Sequence, residues 1–477
     1  MKHAAASSVA VAPPILVSST ASKRVAVSTL GCKVNSFESQ LIAQSVQSSQ
    51  WQVVDARSTA DLYIVNTCTV TREADRQARQ EVRRAVRRNP DALVVVTGCY
   101  AQMDAEACAS IPGVDLVLGN DRKLDIATLL PALESRELPL TMVGDMHGTI
   151  HLPDQLLAGY EAHTRAYVQV QQGCDQGCTF CIIHVARGPS RSLPPTLVRR
   201  QVERLIENGY REIVLCGVDL GAYGADFGSR YGLVELLVEL VALPGEFRIR
   251  MSSVDPVHLD TNLVALLANE RRLCPHIHLS MQSGNTLILK RMKRRYTSET
   301  LYERIGELRA ALPQLVLSAD VMVGFPTETD AQFADTLNAL RDLQIAFPHV
   351  FSYSERPGTP AARIPKQVPV PVRKDRAAQT RALGAQIRNQ LCLSRIGTCA
   401  QALIESDKGV PPGYRRGRCA DYLPVAIPAG DAPLGAFVDV TITGQCGAQL
   451  LARRSDSHSD HDPATRQNSV DRPQPRR

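Results

Sequence analysis

The chain has 477 residues, 44% hydrophobic and 21% charged, with a formal net charge of +6. That length calls for two or three domains, and no apolar run approaches the ~20 residues of a membrane span. The mild excess of Lys and Arg permits nucleic-acid binding without requiring it.

Residues 1–22 carry one early lysine and then small apolar residues, but Pro13 and Pro14 interrupt the apolar core, so the stretch reads as a disordered leader. Residues 23–145 form the first expected domain. It holds VAVSTLGC, LYIVNTC and ALVVVTGC, three β-branched runs that each stop at a cysteine: Cys32, Cys68 and Cys99. Helix-length stretches separate them. One spans Glu73 to Arg88, with Ala74, Ala78, Val82 and Ala85 on one face, and Asn89-Pro90 stops it. Strand–helix alternation predicts parallel strands, whose C-terminal ends lie along one sheet edge, so the three cysteines should meet in space. Arg72, Arg76, Arg79, Arg83 and Arg87 recur on the opposite face of that helix. A solvated face is the first reading of them and an RNA contact the second.

Residues 160–390 form a second expected domain. YVQVQQGC, EIVLCGVDLG, FRIRMSS, HIHLSMQSG, VLSADVMVGFP and AFPHVFSYS are six strand-like runs with helix-length spacers, the pattern of a partial (β/α)6 barrel with its chemistry at the strands' C-terminal ends. The polar stretch 373–388 reads as a connecting helix. Residues 391–454 carry short β-like segments suited to a small barrel of OB-like size, and 455–477 read as a disordered tail. The fold class is thus α/β with a small β-barrel appended.

The thirteen cysteines are too many to be incidental in a chain that can bury a core without disulfides, so grouped ones point to metal or redox chemistry. Cys174, Cys178 and Cys181 form a CxxxCxxC just after the first barrel strand. Thiolates suit iron–sulfur clusters or zinc, yet zinc normally completes a set of four and no second knuckle follows. Three ligands on a four-iron cluster leave one iron open for S-adenosylmethionine.

This motif resembles that of the radical S-adenosylmethionine superfamily. With TLGCKVNSFES, NTCTVTREAD and VVVTGCYAQ added, the chain from about residue 23 to 453 resembles the radical S-adenosylmethionine methylthiotransferases. The resemblance implies an N-terminal domain holding a second 4Fe-4S cluster on Cys32, Cys68 and Cys99. It further implies a barrel with the first 4Fe-4S cluster on Cys174, Cys178 and Cys181, and a C-terminal RNA-binding TRAM module. TLGCKVN, NTCTVT, the run Gly98 to Gln102 and GVDLGAYG resemble the MtaB branch, which converts N6-threonylcarbamoyladenosine 3′ of the tRNA anticodon to its 2-methylthio form. Sister branches act on isopentenyladenosine or on an aspartate of a ribosomal protein. In the implied chemistry a 5′-deoxyadenosyl radical takes the C2 hydrogen and the second cluster presents sulfur. The implied partners are tRNA and an electron donor of the flavodoxin or ferredoxin type.

By the same likeness Phe180, Gly217, Gly221, Ser253, Gln282 and Gly324 shape the S-adenosylmethionine pocket; for each glycine an ordinary βα turn is the alternative. One departure is His184, where relatives usually carry proline. The basic run Lys290 to Arg295, and Arg415, Arg416 and Arg418 beside Tyr414, are candidate RNA contacts. Cys108, Cys216, Cys274, Cys392, Cys399, Cys419 and Cys446 stay ungrouped. A non-catalytic RNA-binding protein with redox-sensing clusters is the rival of a different class.

Overall fold

The computed structural model describes residues 22–49, 51–147, 156–160 and 164–455; apart from residues 22 and 455, the expected leader and tail lie outside them. The N-terminal part is built on strands β1 (Arg24–Thr29), β2 (Gln52–Val54), β3 (Leu62–Thr67), β4 (Leu93–Gly98), β5 (Leu116–Leu118) and β6 (Thr141–Met142), ordered β2-β1-β3-β4-β5-β6. Every neighbouring pair is parallel. The connecting helices are α1 (Lys33–Ser48), α2 (Arg72–Arg88), α3 (Cys99–Met103), α4 (Ala105–Ala109) and α5 (Ile126–Glu134). β3 is apolar on both faces because helices cover both. Tyr63 and Val65 pack with Ala78, Val82 and Ala85 of α2, whereas Leu62 and Ile64 pack with Ile42 and Val46 of α1 and Leu130 of α5.

α2 begins one residue before the expected start. The Thr71 hydroxyl accepts the Ala74 N–H at 3.1 Å, Glu73 and Asp75 occupy the first turn, and Arg87 and Arg88 the last, all matched to the helix dipole.

The second part is a partial barrel in sequence order, made of a three-stranded and a four-stranded parallel sheet. β7 (Arg165–Gln169), β10 (Glu212–Cys216) and β11 (Arg248–Met251) pair in parallel, as do β12 (Ser253–Val254), β13 (His276–Gln282), β14 (Val316–Val323) and β15 (Ile345–Ser352). Ser252 alone separates β11 from β12, so the two sheets follow one curve. A short antiparallel ribbon, β8 (Gln171–Gln172) with β9 (Arg191–Ser192), follows β7 and encloses α6 (Ile183–Arg187). Helices α7 (Pro195–Glu207), α8 (Leu233–Val241), α9 (Thr261–Asn269), α10 (Thr286–Arg291), α11 (Ser298–Ala311) and α12 (Asp330–Asp342) make the outer layer. Strand alternation divides the residues: Ile213, Leu215, Ile277, Leu279, Leu317 and Ala319 join the core beneath the helices. Their neighbours Glu212, Arg250, His276, His278 and Asp320 turn to the lumen, which is therefore polar.

α13 (Val370–Ser394), longer than the expected connector, leads to a closed five-stranded barrel: β16 (Cys399–Ser406), β17 (Tyr414–Cys419), β18 (Pro424–Pro428), β19 (Phe437–Cys446) and β20 (Gln449–Arg454). This module plugs the N-terminal end of the large barrel. Tyr422 stacks on His276 with ring centres 4.3 Å apart, Arg165 Nε meets Glu405 at 2.7 Å, and Arg248 and Arg250 donate to the carbonyls of Arg418 and Ala420 at 2.8 and 3.0 Å. Buried Glu212 binds both arginines at 2.7 Å. Burial opposes its charge, but Arg250 and Arg248 outweigh that and hold the carboxyl well below its ordinary range. Among the described residues, no helix is long and apolar enough to cross a membrane.

Candidate active site

The Cys174 loop grows out of the β8–β9 ribbon. Gly173 has φ +74°, and a Cβ there would overlap the Pro189 carbonyl, so glycine alone allows the chain to turn into the loop. The Cys174 N–H then bonds Gly188 O at 3.1 Å and the Cys181 N–H bonds Cys178 O at 3.0 Å. The sulfurs receive donors: Gln176 N–H on Cys174 at 3.5 Å, Ile183 N–H on Cys181 at 3.4 Å, and Arg294 Nη1 on Cys178 at 3.2 Å. Arg294 is itself fixed by Asp255, 2.5 Å from Nη2, and Gln176 Nε2 bridges Asp219 and Asp255 at 2.9 and 3.2 Å. Burial pushes the Cys174 thiol up to about 12 and that of Cys181 to about 11. Such groups become thiolates when a metal replaces the proton.

The three strand-end cysteines do meet. Cys32 caps α1, Cys68 follows β3 and Cys99 opens α3 after β4. β1, β3 and β4 are adjacent, so their ends are too. Gly31 (φ +102°) lets the first loop close on the second: a Cβ there would stand 2.7 Å from Cys68 Cβ. Asn35 Nδ2 ties the loops by donating to Leu30 O at 2.7 Å and Thr67 O at 3.0 Å. Asn120 Nδ2 approaches Cys99 Sγ at 3.8 Å. Burial, then the charges of Cys99 and Cys32, push the Cys68 thiol up to about 12.

Three thiols with N–H and guanidinium donors on their sulfurs, as at Cys174, Cys178 and Cys181, are the ligand chemistry of an iron–sulfur cluster.

One arginine joins the two sets. Arg187, on the short helix that follows Cys181, reaches into the N-terminal domain, donating to Glu38 Oε1 and Oε2 at 2.9 Å each and to Asn35 Oδ1 at 2.5 Å. Lys123 Nζ lies 2.5 Å from Glu38. The field of Arg187 reaches Cys99 and Cys32. A second tie runs from Arg356 to Asp75 Oδ2 at 2.5 Å and Thr69 at 2.6 Å. The C-terminal edge of the N-terminal sheet therefore faces the C-terminal mouth of the barrel, with a cysteine set on each side.

The remaining expected positions distribute around that mouth. Phe180 packs against Ile288, Met292, Phe325 and Tyr353. Gly217 abuts Gln171, Gly221 lies on the His258 ring and Gly324 on the Arg373 side chain. Ser253 opens β12 beside His278, and Gln282 ends β13 with φ +61°. His184 sits in the first turn of α6, and its N–H adds a further donor to Cys181 that a proline would lack.

Several residues of the candidate RNA patches make bonds within the protein, Arg291 to Thr327 at 2.6 Å and Arg415 to Asp407 at 2.7 Å among them, and two are turned furthest inward. Arg294 is buried on Cys178 and Asp255. Arg418 donates to Glu405 at 3.2 Å and lies over the Tyr422 ring. The α2 arginines Arg72, Arg76, Arg83 and Arg87 are exposed, and Arg76 pairs with Glu73.

Residues 24–119 match the model of a family described as "Uncharacterized protein family UPF0004", and residues 168–340 match the Radical SAM superfamily. The chain is 39% identical over 367 residues to the threonylcarbamoyladenosine tRNA methylthiotransferase MtaB of Bacillus subtilis, covering 77% of this chain and 81% of that protein. The chain belongs to the MtaB-like radical S-adenosylmethionine methylthiotransferases. A relative named tRNA-2-methylthio-N(6)-dimethylallyladenosine synthase, from Pelotomaculum thermopropionicum, is 31% identical, covering 90% of this chain and 97% of its own. In fold, the methylthiotransferase is similar to the radical S-adenosylmethionine methyltransferase TsrM of Kitasatospora setae, with a TM-score of 0.51 at 15% identity, covering 81% and 79% of the two chains. As a radical enzyme of this family it uses a 4Fe-4S cluster and S-adenosylmethionine.

Sequence reasoning missed Arg187, Glu38, Asn35, Gln176 and Asp255 around the methylthiotransferase's cysteines. Asp255 lies two residues beyond Ser253, and Arg187 lies six beyond Cys181; proximity to the motif was the available signal.

Proposed function

We propose that this methylthiotransferase converts N6-threonylcarbamoyladenosine, 3′ of the tRNA anticodon, to its 2-methylthio derivative. The observation that carries the reading is the meeting of two cysteine triplets at one barrel mouth, bridged by Arg187 and Glu38. Relatives that carry the threonylcarbamoyl name supply the substrate class.

In this reading Cys174, Cys178 and Cys181 hold one 4Fe-4S cluster and Cys32, Cys68 and Cys99 a second. When bound, the first supplies the electron that reduces S-adenosylmethionine and the second supplies sulfur. The protein's own part is placement. Arg294 sets a cation against Cys178, and Phe180, Gly217, Gly221, Ser253, Gln282 and Gly324 border the S-adenosylmethionine space. The Arg187–Glu38 bond fixes the separation of the two triplets, and the Glu212–Arg250–Tyr422 plug keeps water from entering through the far end of the lumen. Arg415 and Arg416 are the module's remaining candidates for phosphate contact. Functional units at 23–145, 160–390 and 391–454, a cytoplasmic location and a flavodoxin- or ferredoxin-type electron donor complete the proposal.

The test uses anaerobically reconstituted, reduced enzyme with S-adenosylmethionine and anticodon stem–loops bearing either threonylcarbamoyl- or isopentenyladenosine, with nucleosides read by mass spectrometry. Methylthiolation of the threonylcarbamoyl RNA is expected. Reaction only with the isopentenyl RNA would move the protein to the sister branch, and failure to form 5′-deoxyadenosine would support the non-catalytic rival.

A further inference from the structure

Deep to the cysteine loop, three adjacent strands turn polar side chains to the lumen: His278 on β13, Asp320 on β14 and His349 on β15. His278 Nε2 lies 3.1 Å from Asp320 Oδ1, and His349 Nδ1 lies 3.8 Å from the same oxygen. The two rings meet edge to face with centres 4.6 Å apart. The intervening residues Leu279, Ala319 and Val321 are core, so strand alternation fixes the direction of all three polar groups. Side-chain exposure rises from 6% at His278 through 24% at Asp320 to 49% at His349. The group is anchored at one side and opens into the lumen at the other.

Lys33 brings the fourth polar group. It is the first residue of α1, directly after Cys32, and the same helix packs Phe37 and Leu41 into the core of the barrel. That docking aims the start of α1 at the mouth. Its charge acts on His276, Asp320 and His349 in the lumen and on Cys216 at the top of β10. Among the described residues Lys33 has no ion-pair partner. Half-buried cations without a partner are uncommon, because desolvation costs are offset only by a counter-charge.

We propose that Lys33 and the Asp320–His278–His349 group form the subsite for the N6 substituent of the substrate adenosine, with Lys33 binding its carboxylate and Asp320 accepting from its hydroxyl or ureido N–H. This rests on the function proposed above and deepens it. The threonylcarbamoyl group carries one carboxylate, one hydroxyl and ureido N–H donors, which match one ammonium and one anchored carboxylate. His278 holds Asp320 in place, as a positioning residue. An isopentenyl group, wholly apolar, would strip water from Lys33 and Asp320 and return no partner; sites built for polar groups reject analogues that lack them far more strongly than apolar pockets reject extra ones. Because Lys33 adjoins Cys32, the same contact that recognises the substituent sets the adenine beside the N-terminal cysteine set.

The experiment compares three anticodon stem–loops with the reconstituted full chain: threonylcarbamoyladenosine, its carboxamide (the carboxylate replaced by a neutral amide) and isopentenyladenosine. Wild type should lose about tenfold or more in kcat/KM on the carboxamide, the factor one charge-assisted hydrogen bond supplies. Lys33→Met should raise KM by a similar factor on the acid RNA, by clearly less on the carboxamide, whose neutral oxygen is the weaker acceptor, and be partly rescued in Lys33→Arg. Asp320→Asn supplies a variant distant from Cys32. It should raise KM on both the acid and the carboxamide RNA, which share the hydroxyl and ureido groups, with wild-type iron content as the check that the fold is intact. Equal wild-type rates on acid and carboxamide would overturn the proposal, as would an equal loss on both RNAs in Lys33→Met. So would one equivalent of zinc or manganese per chain that His278→Ala removes, since that would assign the group to a metal. Reaction of wild type with isopentenyl RNA alone would instead sink the functional reading, a separable result.

Discussion

Arg187 grips Glu38 through two parallel hydrogen bonds of 2.9 Å, joining the helix after the barrel's cysteine loop to the helix after Cys32. Both side chains are buried, and Lys123 completes the trio. Breaking one member leaves uncompensated charge inside the protein, at a cost of about 3–5 kcal/mol. Arg187→Met should therefore lower the melting temperature and reduce the iron retained by both cysteine sets. Unchanged stability and iron content would show that the two domains are held by other contacts.

The same trio sets an acid limit. Burial raises the Glu38 carboxyl, but Arg187 and Lys123 outweigh it and hold it at about 2 against an ordinary 4.5. A depressed folded value means the contribution to stability is complete above pH 4.5 and is lost as pH falls from 4.5 towards 2. In urea titrations across that window, wild type should lose stability relative to Glu38→Gln, with the two converging near the lower end. Parallel curves would contradict the assignment.

His184 gives Cys181 a backbone N–H donor where proline could not. Hydrogen bonds to cluster sulfurs favour the reduced, more negative state. His184→Pro, tolerated in the first turn of the short helix, should shift the cluster's potential downward in an EPR-monitored titration. An unchanged or higher potential would show that this donor does not tune it.

In the C-terminal module, Arg418 is locked on Glu405 and Tyr422 while Arg415 and Arg416 are more open. Replacing Arg415 and Arg416 by Ser should weaken tRNA binding and flatten its salt dependence by about one unit of slope per lost phosphate contact. Arg418→Ala should chiefly destabilise the fold, by removing packing and a part-buried pair. If Arg418→Ala alone changed the salt slope, the roles would be reversed.

Cys32, Cys68 and Cys99 announced their meeting because parallel strands share an edge, and β1, β3 and β4 are indeed neighbours. α2 was legible from its apolar face and its Asn-Pro stop. Arg294 was not, because in the run Lys290 to Arg295 nothing local separates it from its solvent-facing neighbours. Only the turn after α10, with Met292 buried, swings it inward to Cys178. Arg418 is hidden for the same reason, its partner Glu405 lying on another strand. His278, Asp320 and His349 come together only through barrel register, which no local pattern in the chain reveals.

The most direct measurement is iron and sulfide content with Mössbauer spectra on anaerobically reconstituted protein. Wild type would be compared with Cys174/Cys178/Cys181→Ala and with Cys32/Cys68/Cys99→Ala. Two four-iron clusters require about eight irons per chain in wild type and about four in each variant. About four in wild type, unchanged when Cys32, Cys68 and Cys99 are replaced, would contradict the two-cluster account and leave the N-terminal sheet without a part in sulfur delivery.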